Sequence, residues 1–108
     1  MESFEGRKAV FEYKFAHDEE LKFKAMVRRN RLLGYWAAEK LGLSGADADA
    51  YARDVVKADF EVPGDEDVVR KIRTDFDTKN VAVSDHQIRR IMEELLVTAA
   101  EQIQAEKT

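Results

Sequence analysis

Two histidines, a run of aspartates and one misplaced arginine are the residues here whose types and spacing invite a chemical reading. His17 and His86 each stand beside an aspartate. Adjacent positions on a helix point about 100° apart, however, and no third donor at ligand spacing completes a metal set. Both read as solvated residues at helix starts. The run "DADAYARD" from Asp47 puts Tyr51 where a calcium loop needs an oxygen ligand, and it lacks the turn glycine. A phosphate-cradling glycine loop, a nucleophile elbow and paired catalytic carboxylates are also missing from the sequence. The residue types present support recognition and not catalysis.

Arg29 is the informative exception. Its helical angle places it in the middle of an apolar stripe of Leu21, Ala25, Leu32, Leu33 and Trp36, where a charge demands a partner. An acidic side chain from another helix is one answer, and a phosphate or carboxylate ligand is the other. Gly34 costs its helix about 1 kcal/mol relative to alanine. With Val27 and Ala38 it makes a seam of small residues, open to close approach by a neighbouring helix or by a flat ligand beside Trp36. Trp36 taken alone is a core residue.

A third feature lies near the amino terminus, where "RKAVFEYKFAHDEEL" at 7–21 sets aromatic rings among charges. Phe4, Phe11 and Phe15 fall in one narrow helical sector flanked by Arg7 and Lys8. Asp18 serves either as a new helix cap or as an interior residue of one continuous rod. A rod from residue 3 to 42 spans about 60 Å, whereas the following helices reach about 22–30 Å. Its aromatic face then folds back across the other helices or waits in water for a partner's groove.

The elements that position these residues are all helical. The chain has 108 residues, 44% of them hydrophobic, one proline and no cysteine, which suits a single domain without disulfides or thiolate metal sites. A formal charge of −4 disfavours general attraction to nucleic acid or anionic lipid. "MESFEGRKAV" has no apolar signal core and no window is apolar enough to span a membrane, so a cytoplasmic protein without membrane insertion is expected. Periodicity predicts one helix over about 18–42 with Gly42 as its left-handed cap. The next begins at Ser44 or Gly45, buries Ala48, Tyr51, Ala52, Val55, Val56 and Phe60, and ends at "VPG" 62–64. A third runs from Asp65 and fades at Asn80, and a fourth starts at a Ser84–Gln87 capping box and carries an apolar stripe to Ile103. "VAV" at 81–83 reads as a packed loop. The expectation is an all-α protein: a four-helix bundle over 18–108, preceded by an arm over 1–17.

Segments 11–43, 51–76 and 83–96, and in particular the runs "KFAHDEEL", "WAAEKLGLSG" and "VVKADFE", resemble the zeta subunit family, bacterial inhibitors of the rotary ATP synthase. The resemblance implies a four-helix bundle behind a helical or mobile inhibitory segment. That segment is expected to enter a cleft between catalytic beta and non-catalytic alpha subunits of the synthase head. There it reaches toward the central-stalk gamma subunit and arrests rotation in the hydrolytic direction. The matching positions are Phe4, Arg7, Phe11, Glu12, Lys14 and Phe15. The phenylalanines would anchor in apolar pockets while the charges set register. The resemblance also implies no required cofactor, ADP or ATP as a regulatory ligand on the bundle, and a location peripheral to the inner membrane through the synthase. Arg29, Gly34 and Trp36 are the expected nucleotide contacts.

Two other readings stay open: a nucleotide-sensing bundle acting on another partner, and a small DNA-binding regulator. In the latter, helices 65–79 and 84–103 would form a helix-turn-helix with Arg89 and Arg90 as contacts. Glu93, Glu94 and Glu101 on the final helix oppose it.

Overall fold

Asp18 decides how the chain enters its first helix. The structure, a computed structural model, describes residues 18–61 and 64–106. At Asp18 the backbone is extended, with φ −118° and ψ 99°, and its carboxylate accepts the Leu21 N–H at 3.1 Å. Asp18 is therefore an N-cap, and the continuous rod is excluded at this residue. Helix α1 follows as Glu19–Lys40, with Glu19 and Glu20 favouring the positive end of its dipole.

Two helices end by the same device. After α1, Gly42 takes φ +79° and Leu43 N–H reaches back to Ala38 O at 2.9 Å. After α3, Asp65–Thr78, Asn80 takes φ +58° and Val81 N–H reaches Phe76 O at 2.8 Å. Both are left-handed caps that satisfy the last carbonyls and turn the chain. Helix α2 is Gly45–Glu61 and α4 is Asp85–Glu106. The capping box before α4 forms as expected: Gln87 N–H donates to Ser84 Oγ at 3.1 Å, and Ser84 N–H donates to Gln87 Oε1 at 2.9 Å.

Among the described residues the fold is four helices and no strand. Each helix packs on the next, and α4 packs back on α1, so the ring closes into a bundle. Leu33, Ala37, Val55, Val68, Ile72, Phe76 and Ile88 are sealed at its centre. Trp36 stands edge-on to Phe76 with ring centroids 5.7 Å apart, and Val81 and Val83 pack in from the loop.

Phe60 departs from the expected inward stripe: it is 59% exposed. Five residues beyond Val55 it has rotated about 140° away from the buried line, so α2 turns its last aromatic outward. Helix α4 also runs past Ile103 to Glu106, where Arg28 of α1 grips the Glu106 carboxylate through both terminal nitrogens.

Two cross-helix bridges give the bundle an expected, modest dependence on acid, because both are exposed. Hydrogen bonds from Arg28 to Glu106 and from Arg89 to Glu66 are the main reason both carboxyls lie below the ordinary value of 4.5. A depressed folded-state pKa gives stability that is present above the unfolded value and lost as pH falls through the folded one. Thermal midpoints are expected to stay level from neutrality to about pH 5 and to decline below about pH 4.5. Combining Arg28→Gln with Arg89→Gln should flatten that decline, and an unchanged acid slope would show that these bridges do not cause it.

Candidate functional site

The expected partner-binding residues Phe4, Arg7, Phe11, Glu12, Lys14 and Phe15, with His17, lie outside the described residues. The described structure contributes the platform to which they attach. On the second turn of α1, Phe23 is 56% exposed and meets Phe60 from the end of α2, with ring centroids 5.8 Å apart at 42°. Beside Phe23, between α1 and α4, runs a groove of about 520 Å³. Val27 and Ile103 give it apolar surface, and Lys24, Arg28 and Arg31 line it together with Glu106, which pairs with Arg28.

Sequence reasoning did not single out this aromatic pair. The signal was available in the helical angles, because Phe23 stands about 160° round the helix from Leu21 and off the buried stripe. What periodicity alone does not give is that Phe60 meets it there.

The expected nucleotide contacts face different neighbours. Arg29 is 2% exposed and its charge is met by an acid from another helix: Nη2 donates to Asp65 Oδ1 at 2.9 Å. Nε and Nη2 also donate to Asn30 Oδ1 at 3.0 and 2.8 Å, and Asn30 Nδ2 donates to Asp59 Oδ2 at 3.0 Å. These linked hydrogen bonds tie α1 to α2 and to the start of α3. Among the described residues no buried side-chain nitrogen or oxygen is left without a partner. Gly34 faces α2, where its backbone lies directly against Ala52. Trp36 faces α3 through Phe76.

A second groove of about 520 Å³ lies next to the Gly34 seam, lined by Val27, Arg31, Tyr35, Asp49, Ala52, Arg53 and Val56. The Tyr35 hydroxyl donates to Asp49 Oδ1 at 2.6 Å, and the Arg31 guanidinium sits 6.0 Å above the Tyr35 ring. Arg89, considered above as a DNA contact, is bound to Glu66, and Arg90 lies 3.9 Å from Glu94. His86 is exposed on α4. Among the described residues no cluster of three or more His, Asp or Glu side chains is arranged to hold a metal, and no helix is long and apolar enough to cross a membrane.

Set against known proteins, residues 1–102 match the family model described as ATPase inhibitor subunit zeta. A protein whose structure was solved in solution by NMR is 48% identical to this chain. The likeness covers 80% of this chain and 98% of that one, with a TM-score of 0.71. No curated protein matches.

Proposed function

The chain belongs to the ATPase inhibitor subunit zeta family, and from that premise we propose that it restrains ATP hydrolysis by the rotary ATP synthase through its amino-terminal arm. The observation that carries this reading is that the family match starts at residue 1 and so spans both the aromatic arm and the bundle. The arm enters between alpha and beta subunits of the catalytic head and approaches gamma. Phe4, Phe11 and Phe15 fill apolar pockets, while Arg7, Glu12 and Lys14 hold the register at the rim. Blocking rotation in this way is mechanical and asks no bond-making of the inhibitor. The bundle acts as the body that limits how far the arm slides, and it places the protein at the membrane only through the synthase.

ADP or ATP enters as a regulatory ligand of the bundle. The groove beside Gly34 supports this better than Arg29 does. Arg31 and Arg53 offer cations there beside the Tyr35 ring, whereas Arg29 is buried and already bound to Asn30 and Asp65.

The test is ATP hydrolysis by a synthase head freed of this subunit, titrated with the full chain and with a chain lacking residues 1–16. The full chain is expected to suppress hydrolysis and the shortened one to leave it intact while remaining helical. Equal inhibition by both would move the activity to the bundle, and inhibition by neither would remove the proposed role.

A further inference from the structure

We propose that the face shared by α1 and α2, centred on Phe23 and Phe60, is a second docking surface for the catalytic head, set at the mouth of the cleft that receives the arm. This rests on the function inferred above and adds to it. A body that only limits sliding needs bulk, whereas this face presents a particular apolar and cationic chemistry.

Phe23 and Phe60 carry the apolar part. Among the described residues they are the large hydrophobic side chains left exposed, and their rings meet although they come from different helices. Val27 lines both neighbouring grooves, with Ile103 in one and Val56 in the other, so apolar surface runs on from the pair. A single exposed aromatic is ordinary; a contiguous patch of this kind marks a binding surface.

Charge sets the kind of partner. Arg53 and Lys57 lie seven and three residues before Phe60, within about 60° of it around α2. Arg31 of α1 lines both grooves. These three cations are exposed, and among the described residues none of them has an ion pair; Arg31 touches only the Tyr35 ring. The nearby acids are engaged: Glu19 with Lys22, Glu20 with Lys24, Glu106 with Arg28, Asp49 with Tyr35 and Asp59 with Asn30. What is left over is cationic and apolar. The matching partner is a protein surface of apolar side chains rimmed by carboxylates.

Continuity places that surface on the head. Residues 1–17, assigned above to the cleft, join α1 at Asp18, and Phe23 lies five residues further on, about 8 Å along the helix. An arm held in the cleft therefore brings the Phe23 and Phe60 pair to its rim. Arg31 and Arg53 also line the groove assigned above to ADP or ATP, so Lys57, outside that groove, is the cation to test.

The experiment measures, by calorimetry, the affinity of full-length chains for a synthase head freed of this subunit. Phe23→Ser with Phe60→Ser leaves the arm untouched and is expected to weaken binding at least about tenfold. Lys57→Glu is expected to weaken it about three- to tenfold and to flatten the salt dependence of the parent. All three side chains are exposed, so helicity and urea midpoint should match the parent. Parental affinity in both variants overturns the proposal, and a parent affinity independent of salt overturns the carboxylate rim. A parent dimer that the serine variant dissolves, with affinity for the head unchanged, would assign the patch to a second copy and also overturn it. Hydrolysis is read separately. A parent that binds through this face without suppressing hydrolysis keeps the proposal and loses the function proposed above, and an inhibiting parent whose variants bind equally well shows the reverse.

Discussion

Replacing Gly34 by alanine is expected to destabilise the bundle, although alanine is the better helix former. A β-carbon at residue 34 would lie 2.5 Å from Ala52 Cα and 3.0 Å from Ala52 Cβ. The nearest obstruction is backbone, so no rotamer change relieves it; α1 and α2 must move apart. Propensity favours alanine by about 1 kcal/mol, whereas forcing extra volume into a packed interface costs about 1–3 kcal/mol and more where backbone must shift. The expected balance is a loss of about 1–2 kcal/mol, read as a lower urea midpoint with an unchanged slope. Ala52→Gly in the Gly34→Ala background should recover part of the loss at most, since it removes the Ala52 methyl and leaves the closer backbone carbon in place. A Gly34→Ala protein more stable than the parent would show that the two helices separate at negligible cost.

The seam illustrates what could be read from the sequence and what could not. Val27, Gly34 and Ala38 announce a close approach because small residues at helical spacing leave room. They do not announce which helix arrives, since periodicity assigns faces and not partners. Caps are legible for the opposite reason. Gly42, Asn80 and the Ser84–Gln87 pair act on their own backbone within a few residues, so local chemistry fixes their outcome. Arg29 lies between these cases: its position in an apolar stripe demands a counter-charge, but Asp65 is 36 residues away along the chain. Phe60 is where the inward stripe of α2 extends one turn too far on paper. Its contact with Phe23 depends on how α1 and α2 cross, which no pattern within either helix records. The arm is legible as an aromatic helical face, and a role for it comes from resemblance to a family and not from that pattern.

Arg29 supports the second large prediction, because from a nearly sealed position its charge ties α1 to α3 and braces Asn30, whose amide reaches Asp59 of α2. Arg29→Ala removes the packed stem, leaves a cavity and strips the Asn30 oxygen of both its guanidinium donors. The expected cost is about 3–4 kcal/mol, from cavity and unpaired acceptor together. Arg29→Met keeps much of the volume and leaves mainly the Asn30 acceptor and Asp65 unpaired, at about 1–2 kcal/mol. Asp65→Asn leaves a buried guanidinium without its counter-charge. Removing one partner of a fully buried pair costs about 3–5 kcal/mol, but the Asp65 side chain is 48% exposed, so water compensates in part and about 1–2 kcal/mol is expected. Arg29→Met and Asp65→Asn combined should cost less than their sum, because once the charge is gone its partner has nothing left to satisfy. Urea unfolding of the four-member cycle measures this, and strict additivity would show that the 2.9 Å hydrogen bond contributes no coupling. The same variants separate architecture from ligand binding. If Arg29 acts only within the bundle, Arg29→Met should inhibit ATP hydrolysis like the parent at any temperature where it stays folded. An inhibition defect in the folded variant would instead give this buried arginine a part in recognition.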